Sequence, residues 1–244
     1  MLEVRRLSKN FGGVQALTDI SFSLAKEEFL GLIGPNGSGK TTLFNVLSGT
    51  YRPSSGEVTF EGRKITGLTP DKICHAGIAR TFQIPKPVKS MNVVDNVMIG
   101  LLFGESERPA RCSEDSLRDD AVGLLDFVGL KVDGHMEPDK LTAGDVRKLE
   151  LARALATKPK LLLADEILSG LNREEIEEAT HVLKRVRDEM GITIIWVEHI
   201  MAALMSLVDR TIVLNYGVVI ADGTPEEVSK NKGVVKAYLG DEEE

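Results

Sequence analysis

Gly34-Pro35-Asn36-Gly37-Ser38-Gly39-Lys40-Thr41 fits the pattern G-x-x-x-x-G-K-[ST], and its flanks are those the pattern requires. Phe29-Leu30-Gly31-Leu32-Ile33 before it reads as a buried strand, and residues 40–48 after it read as a helix that Gly49 ends. Four of the eight positions are Gly or Pro, so the backbone can curl and aim several N–H groups at one anion. The new helix adds the positive end of its dipole at the same point. Lys40 then reaches the β- and γ-phosphates, and the Thr41 hydroxyl can ligate Mg²⁺. With Thr42 in the same turn, these residues predict a nucleoside triphosphate site.

The 244 residues suit one α/β domain with subdomains and a sizeable core. Hydrophobic residues at 42% and charged residues at 27% place the chain among soluble globular proteins. Thirty Lys and Arg against 37 Asp and Glu leave a net charge of −7, which offers no basic field to recruit nucleic acid. Asp241-Glu242-Glu243-Glu244 reads as a solvated, frayed tail. Cys74 and Cys112 lack metal-ligand spacing, and Cys74 beside His75 makes no site by adjacency, so two reduced thiols in a cytosolic protein are expected. The first residues lack the apolar core of a signal peptide. The longest apolar region, residues 192–208, carries Glu198 and His199 and reads as a strand followed by a helix. Contact with a membrane is therefore expected through a partner.

Strand signals at 2–7, 20–24 and 56–62 predict a small antiparallel sheet, followed by a short helix at 70–76 and a strand at 77–81. Between about 84 and 145 strand signals vanish. Residues 93–103 read as a helix, and 114–128 place Leu117, Ala121, Leu124, Leu125 and Val128 on one stripe that Gly129 stops. The polar stretch 104–113 connects them. This region is expected to be an inserted helical subdomain, with a catalytic core at about 1–83 and 146–244. There a helix at 146–157, an apolar strand at 160–164, and a helix capped by Asn172 with Glu175 and ended by Gly191 follow in turn. A strand at 192–197 comes next, then two more at 211–214 and 218–220 around Tyr216-Gly217. Thr224-Pro225-Glu226-Glu227 starts a last helix. The predicted fold is α/β: a P-loop NTPase (RecA-like) core with a mostly parallel sheet, an antiparallel β subdomain and an inserted α-helical subdomain.

Leu161-Leu162-Leu163-Ala164-Asp165-Glu166 is an apolar strand that delivers two carboxylates at its end. Asp165 suits Mg²⁺, and Glu166 can orient and polarise an attacking water. Upstream, Leu141-Thr142-Ala143-Gly144-Asp145 leads into Val146-Arg147-Lys148-Leu149-Glu150-Leu151-Ala152-Arg153. Here the chain resembles the ATP-binding-cassette (ABC) ATPases, whose signature L-S-G-G-Q precedes such a helix. The order of phosphate loop, Gln83, signature, Asp165-Glu166, Ser169-Gly170-Leu171-Asn172 and His199 is that family's order over nearly the whole chain. The resemblance implies that Phe11 stacks on adenine and that Gln83 links the Mg²⁺ site to the helical subdomain. It also implies that His199 contacts the γ-phosphate, and that Thr142 and Gly144 complete a second chain's ATP site. Phe11-Gly12-Gly13-Val14-Gln15-Ala16-Leu17, Ile78-Ala79-Arg80-Thr81-Phe82-Gln83, the long insert after Asn96, and Ala237-Tyr238-Leu239-Gly240 resemble one ATPase subunit of branched-chain amino-acid importers. The expected partners are a second cassette chain, identical or related, with membrane permease subunits and a substrate-binding protein. The expected place is the inner face of the cell membrane, held there peripherally by the permeases.

Three positions depart from the family pattern. The signature reads Thr142-Ala143-Gly144-Asp145 for S-G-G-Q, Ile167 follows Glu166 where Pro is usual, and Ile200 follows His199 where Asp is common. Asp145 is expected to oppose an incoming triphosphate, since like charges repel most in a dry interface. Two other readings stay open: a soluble cassette acting on nucleic acid or ribosomes, and a regulatory cassette that closes on ATP with weak turnover.

Overall fold

A computed structural model describes residues 1–104, 113–131, 133 and 135–239. Cys112, most of the 104–113 connection, Gly240 and the acidic tail at 241–244 lie outside the described residues. In chain order the structure opens with β1 (Leu2–Phe11), β2 (Val14–Leu24), β3 (Phe29–Ile33) and α1 (Lys40–Leu47). Next come β4 (Ser55–Phe60), β5 (Arg63–Lys64), α2 (Pro70–His75) and β6 (Ile78–Arg80), then α3 (Val93–Phe103), α4 (Glu114–Phe127) and α5 (Ala143–Ala156). The chain finishes with β7 (Leu161–Asp165), α6 (Arg173–Met190), β8 (Thr193–Val197), α7 (Met201–Leu207), β9 (Arg210–Asn215), β10 (Val218–Gly223), α8 (Pro225–Ser229) and α9 (Lys232–Leu239). Its contacts group into two compact units, one of Met1–Ile73 with Thr193–Glu244 and one of Cys74–Ile192.

The first unit holds an antiparallel sheet in the order β2-β1-β4-β5. Leu2 pairs with Leu24 on one side and Phe60 on the other, and all three side chains are buried. Two strands of this sheet are longer than the sequence pattern suggests: β1 runs to Phe11 and β2 begins at Val14, as a hairpin turning at Gly12-Gly13, while β4 stops at Phe60, two residues short of the expected end. Alternation is lost there because the pairing slips repeatedly after Val4, with Arg6 and Asp19 at positive φ. The unit's second sheet runs β10-β9-β3-β8. β3 lies parallel to both β8 and β9, while β10 closes the edge antiparallel. Every residue of β3 and β8 is buried, which explains their unbroken apolar runs. Phe29 and Trp196 pack ring against ring at 5.6 Å in this core.

In the second unit β6 and β7 pair in parallel, Ile78 with Leu161 and Arg80 with Leu163. The remainder is helical. α3 packs on α5 so closely that a Cβ on Gly100 would meet the Ala156 methyl at 2.7 Å. On α4, Leu117, Ala121 and Leu125 are buried, but Leu124 is only half-buried, at the margin of the expected stripe. α6 is capped by Asn172 and Glu175 in a reciprocal pair and ends at Gly191 in a left-handed conformation. One boundary differs in a way that bears on the site. α5 begins at Ala143, three residues before the expected start, because Thr142 caps it.

Candidate active site

The first unit carries the phosphate loop. β3 ends at Ile33 and the chain turns at Gly34, whose φ of 152° and neighbours leave no room for a side chain: a Cβ would sit 2.1 Å from the Leu214 carbonyl oxygen. The Ser38 N–H donates to the Pro35 carbonyl, and the Gly217 N–H donates to the Ser38 carbonyl at 2.9 Å, so the β9–β10 turn braces the loop. α1 then starts at Lys40 with no side-chain cap and no acidic residue in its first turn. Its first N–H groups and its positive dipole end therefore face an anion without competition from a side chain. Lys40 is 7% exposed, and its ammonium donates to the carbonyls of Gly34 at 2.6 Å and Pro35 at 3.1 Å. The Ser38 hydroxyl is buried and has no hydrogen-bond partner among the described residues. A buried donor in that position fits a phosphate oxygen. Asn36, Gly37 and Thr41 are exposed, while Pro35, Gly39 and Thr42 are half-buried.

Two further features of this unit bear on a nucleotide. Phe11 is 41% exposed, lies edge-on to Tyr51 at 5.2 Å, and has the Lys9 ammonium 4.8 Å from its ring centre. Tyr51 carried no sequence signal, since only the loop after α1 brings it to Phe11, whereas Lys9 lies two residues before Phe11 on β1. α9, also unread in the sequence, lines a cavity of about 360 Å³ together with loop residues 35–38 and the 215–216 turn. Burial pushes the Tyr238 phenol up, while the Gly34 backbone facing it works the other way. His199 is exposed just after β8, and its N–H donates to the buried Glu198 carboxylate at 3.0 Å.

The second unit carries the carboxylates. Asp165 is 4% exposed and accepts from the Arg80 guanidinium at 2.8 Å, while its N–H donates to the Thr81 hydroxyl. Glu166 sits at φ 48°, a left-handed conformation that costs a non-glycine residue free energy. The Gln83 amide donates to its carboxylate at 2.6 Å. Gln83 and Glu166, 83 residues apart, are thus brought together, with the amide spent on the carboxylate. Oxygen donors such as Asp165 and Thr41 suit Mg²⁺, and Arg80 already engages one oxygen of Asp165. Among the described residues no group of three or more His, Cys, Asp or Glu side chains forms a metal cluster.

In the signature segment Thr142 and Asp145 cap one another. The Asp145 N–H donates to the Thr142 oxygen at 3.2 Å, and the Thr142 hydroxyl donates to the Asp145 carboxylate at 2.7 Å. Gly144 is buried on α5, where a Cβ would meet the Glu175 carboxylate at 2.6 Å. Asp145 therefore has a structural task that the sequence did not reveal.

The sequence pattern described as "ABC transporter" matches residues 17–169, and that described as "Branched-chain amino acid ATP-binding cassette transporter" matches residues 218–244. The chain is 37% identical over 250 residues to the high-affinity branched-chain amino acid transport ATP-binding protein LivG of Salmonella typhimurium, covering 99% of this chain and 98% of that one. Among solved structures it is similar to a nucleotide-free ATP-binding cassette from an ABC transporter, with a TM-score of 0.87 and 31% identity over 99% of both chains. It is also similar to a dimeric, post-hydrolysis cassette bound to ADP and Pi, with a TM-score of 0.82 and 25% identity over 92% of this chain and 99% of that one. With a family match over more than half its length and a full-length relative above 30% identity, the chain belongs to the ABC transporter family and is one of its ATP-binding cassettes.

Proposed function

We propose that this cassette hydrolyses ATP to power a membrane transporter, most directly the uptake of branched-chain or related amino acids. The observation that carries the reading is the phosphate loop. Its buried Lys40 sits at the uncapped start of α1, in a chain similar over 99% of its length to a transport ATP-binding protein. The soluble or regulatory alternative has no comparable observation behind it.

In this proposal Gly34, Pro35, Asn36, Gly37, Ser38, Gly39, Lys40, Thr41 and Thr42 bind the phosphates, and Phe11 packs on the adenine. Thr41, Gln83 and Asp165 would hold Mg²⁺, which when bound neutralises phosphate charge. Glu166 orients and polarises the attacking water, and His199 donates toward the γ-phosphate. Thr142 and Gly144 serve the ATP of a partner cassette, so the working unit is a dimer, of two identical chains or of two related ones. Residues of about 84–145 act as a helical subdomain attached to a core of about 1–83 and 146–244. Among the described residues no helix is long and apolar enough to cross a membrane. The proposed place is the cytoplasmic face, with permease subunits carrying the substrate path and a binding protein delivering substrate.

The test compares wild type with Lys40→Ala for binding of a fluorescent ATP analogue and for leucine uptake by cells carrying the transporter. Removing a charge-assisted contact to phosphate should weaken binding by about 2–3 kcal/mol, or roughly 30- to 150-fold, and abolish uptake. Equal affinities would remove the phosphate loop from the mechanism; normal uptake with lost binding would separate this chain from transport.

A further inference from the structure

One face of α5 grips the irregular segment that carries Gln83. Arg147, Glu150 and Arg153 recur at three-residue spacing, and each engages that segment. Arg147 donates to the Gln83 carbonyl at 2.6 Å and, at 3.4 Å, to the carbonyls of Phe82 and Ser169. Glu150 is buried, takes a hydrogen bond from the Phe82 backbone and pairs with Arg153 at 3.2 Å. Arg153 donates to the Lys86 carbonyl at 3.0 Å. Residues 82–86 belong to neither helix nor strand, so these α5 side chains supply hydrogen bonds that regular structure would otherwise provide. The same segment sends the Gln83 amide onto Glu166 at 2.6 Å, and Glu166 is held at a positive φ.

We propose that Arg147 is a positioning residue for hydrolysis. It locks the Gln83 segment and the Ser169 turn to the first turns of α5, so the orientation of Glu166 follows the position of the helix that Thr142 caps. A hydrogen bond of 2.6 Å is lost with a displacement of about 1 Å, so a small shift of α5 is enough to break or form the Gln83 contact that orients the Glu166 carboxylate. The chain of contacts is continuous: Thr142 and Asp145 cap α5, Arg147 on its first turns holds Gln83, and Gln83 holds Glu166. Any partner surface that moves the first turn of α5 would then alter the carboxylate without touching it. This inference rests on the reading of Glu166 as the hydrolytic carboxylate.

The experiment measures steady-state ATPase kinetics for wild type, Arg147→Ala, Gln83→Ala, the double variant and Glu166→Gln. Misorienting a catalytic group commonly costs about ten- to a hundredfold. Arg147→Ala should therefore lose kcat on that scale, with KM for ATP and analogue binding within about twofold of wild type. The double variant should be no slower than the slower single variant, because both act through one contact. Where Arg147→Ala fails to fold, Arg147→Lys reads the same split: it keeps one donor for the Gln83 carbonyl and should retain an intermediate kcat. A wild-type or raised kcat in the Arg147 variants, with Glu166→Gln slow, overturns the coupling alone. Losses that multiply in the double variant overturn the route through Gln83. Wild-type turnover in Glu166→Gln overturns the underlying reading and the inference with it.

Discussion

Asp145 has one role in the structure and a second that only the proposed dimer would give it. In the chain it closes the cap of α5, accepting the Thr142 hydroxyl at 2.7 Å and returning its own N–H. It also places a carboxylate in the first turn of a helix, where the dipole favours negative charge. The family resemblance sets the same residue opposite the phosphates of a partner's ATP, where its charge is unfavourable. Asp145→Asn separates the roles, since the amide still offers an oxygen to Thr142 but carries no charge. Two unit charges 4 Å apart interact by about 1 kcal/mol in water, so ATP-driven dimerisation of the Asn variant should strengthen roughly fivefold at low salt for each signature that faces a partner's ATP. The advantage should shrink as salt is added. Dimerisation equal to wild type at every salt concentration would show that Asp145 does not face phosphate in the closed pair.

At the scale of elements, α5 is the helix with the most demands on it. It packs on α3 through Ala156 against Gly100, carries the capped signature at its start, and buries Glu150 beside Arg153. Burial pushes the Glu150 carboxyl above its ordinary value of 4.5, with Arg153 acting in the opposite direction. The folded protein therefore holds this proton more tightly than the unfolded chain does. The resulting stabilisation is fully present below the ordinary glutamate range and is lost as pH rises through the raised folded value. Glu150→Gln does not titrate and can still accept from Phe82. Its stability relative to wild type should therefore increase as pH rises from about 4.5. Urea unfolding of both proteins across that range checks the sign; a relative stability that falls with pH would show that Arg153 outweighs burial.

The whole molecule has one copy of each cassette motif, and a dimeric cassette of the same fold is among the structures it resembles. A carboxamide at position 166 cannot polarise water as a carboxylate does. Glu166→Gln should bind ATP, hydrolyse it at least about a hundredfold more slowly, and accumulate as an ATP-bound pair. Light scattering behind size exclusion should then read a mass near twice 26.6 kDa with MgATP and near 26.6 kDa without it. If the chain works only with a related partner, the doubled mass will appear only when that second cassette is added. A monomer under both conditions, with the second cassette also present, would remove the paired-site arrangement from the proposal.

The sequence by itself determined the elements whose causes are local. The strand–loop–helix at residues 29–47 was readable because a buried parallel strand is apolar throughout, and a phosphate loop must be built from glycines. The reciprocal caps of α6 and α8 were readable because Asn172 and Glu175, and Thr224 and Glu227, act across three residues. Only the tertiary structure decided the partners of the polar side chains. Arg80 meets Asp165 across 85 residues, Gln83 meets Glu166 across 83, and Arg147 reaches back 64 residues to the Gln83 carbonyl. None of these pairings has a sequence spacing of its own. Each exists because burial leaves a charge or an amide needing a partner, and the packing of β6, β7 and α5 determines which partner is near enough to satisfy it.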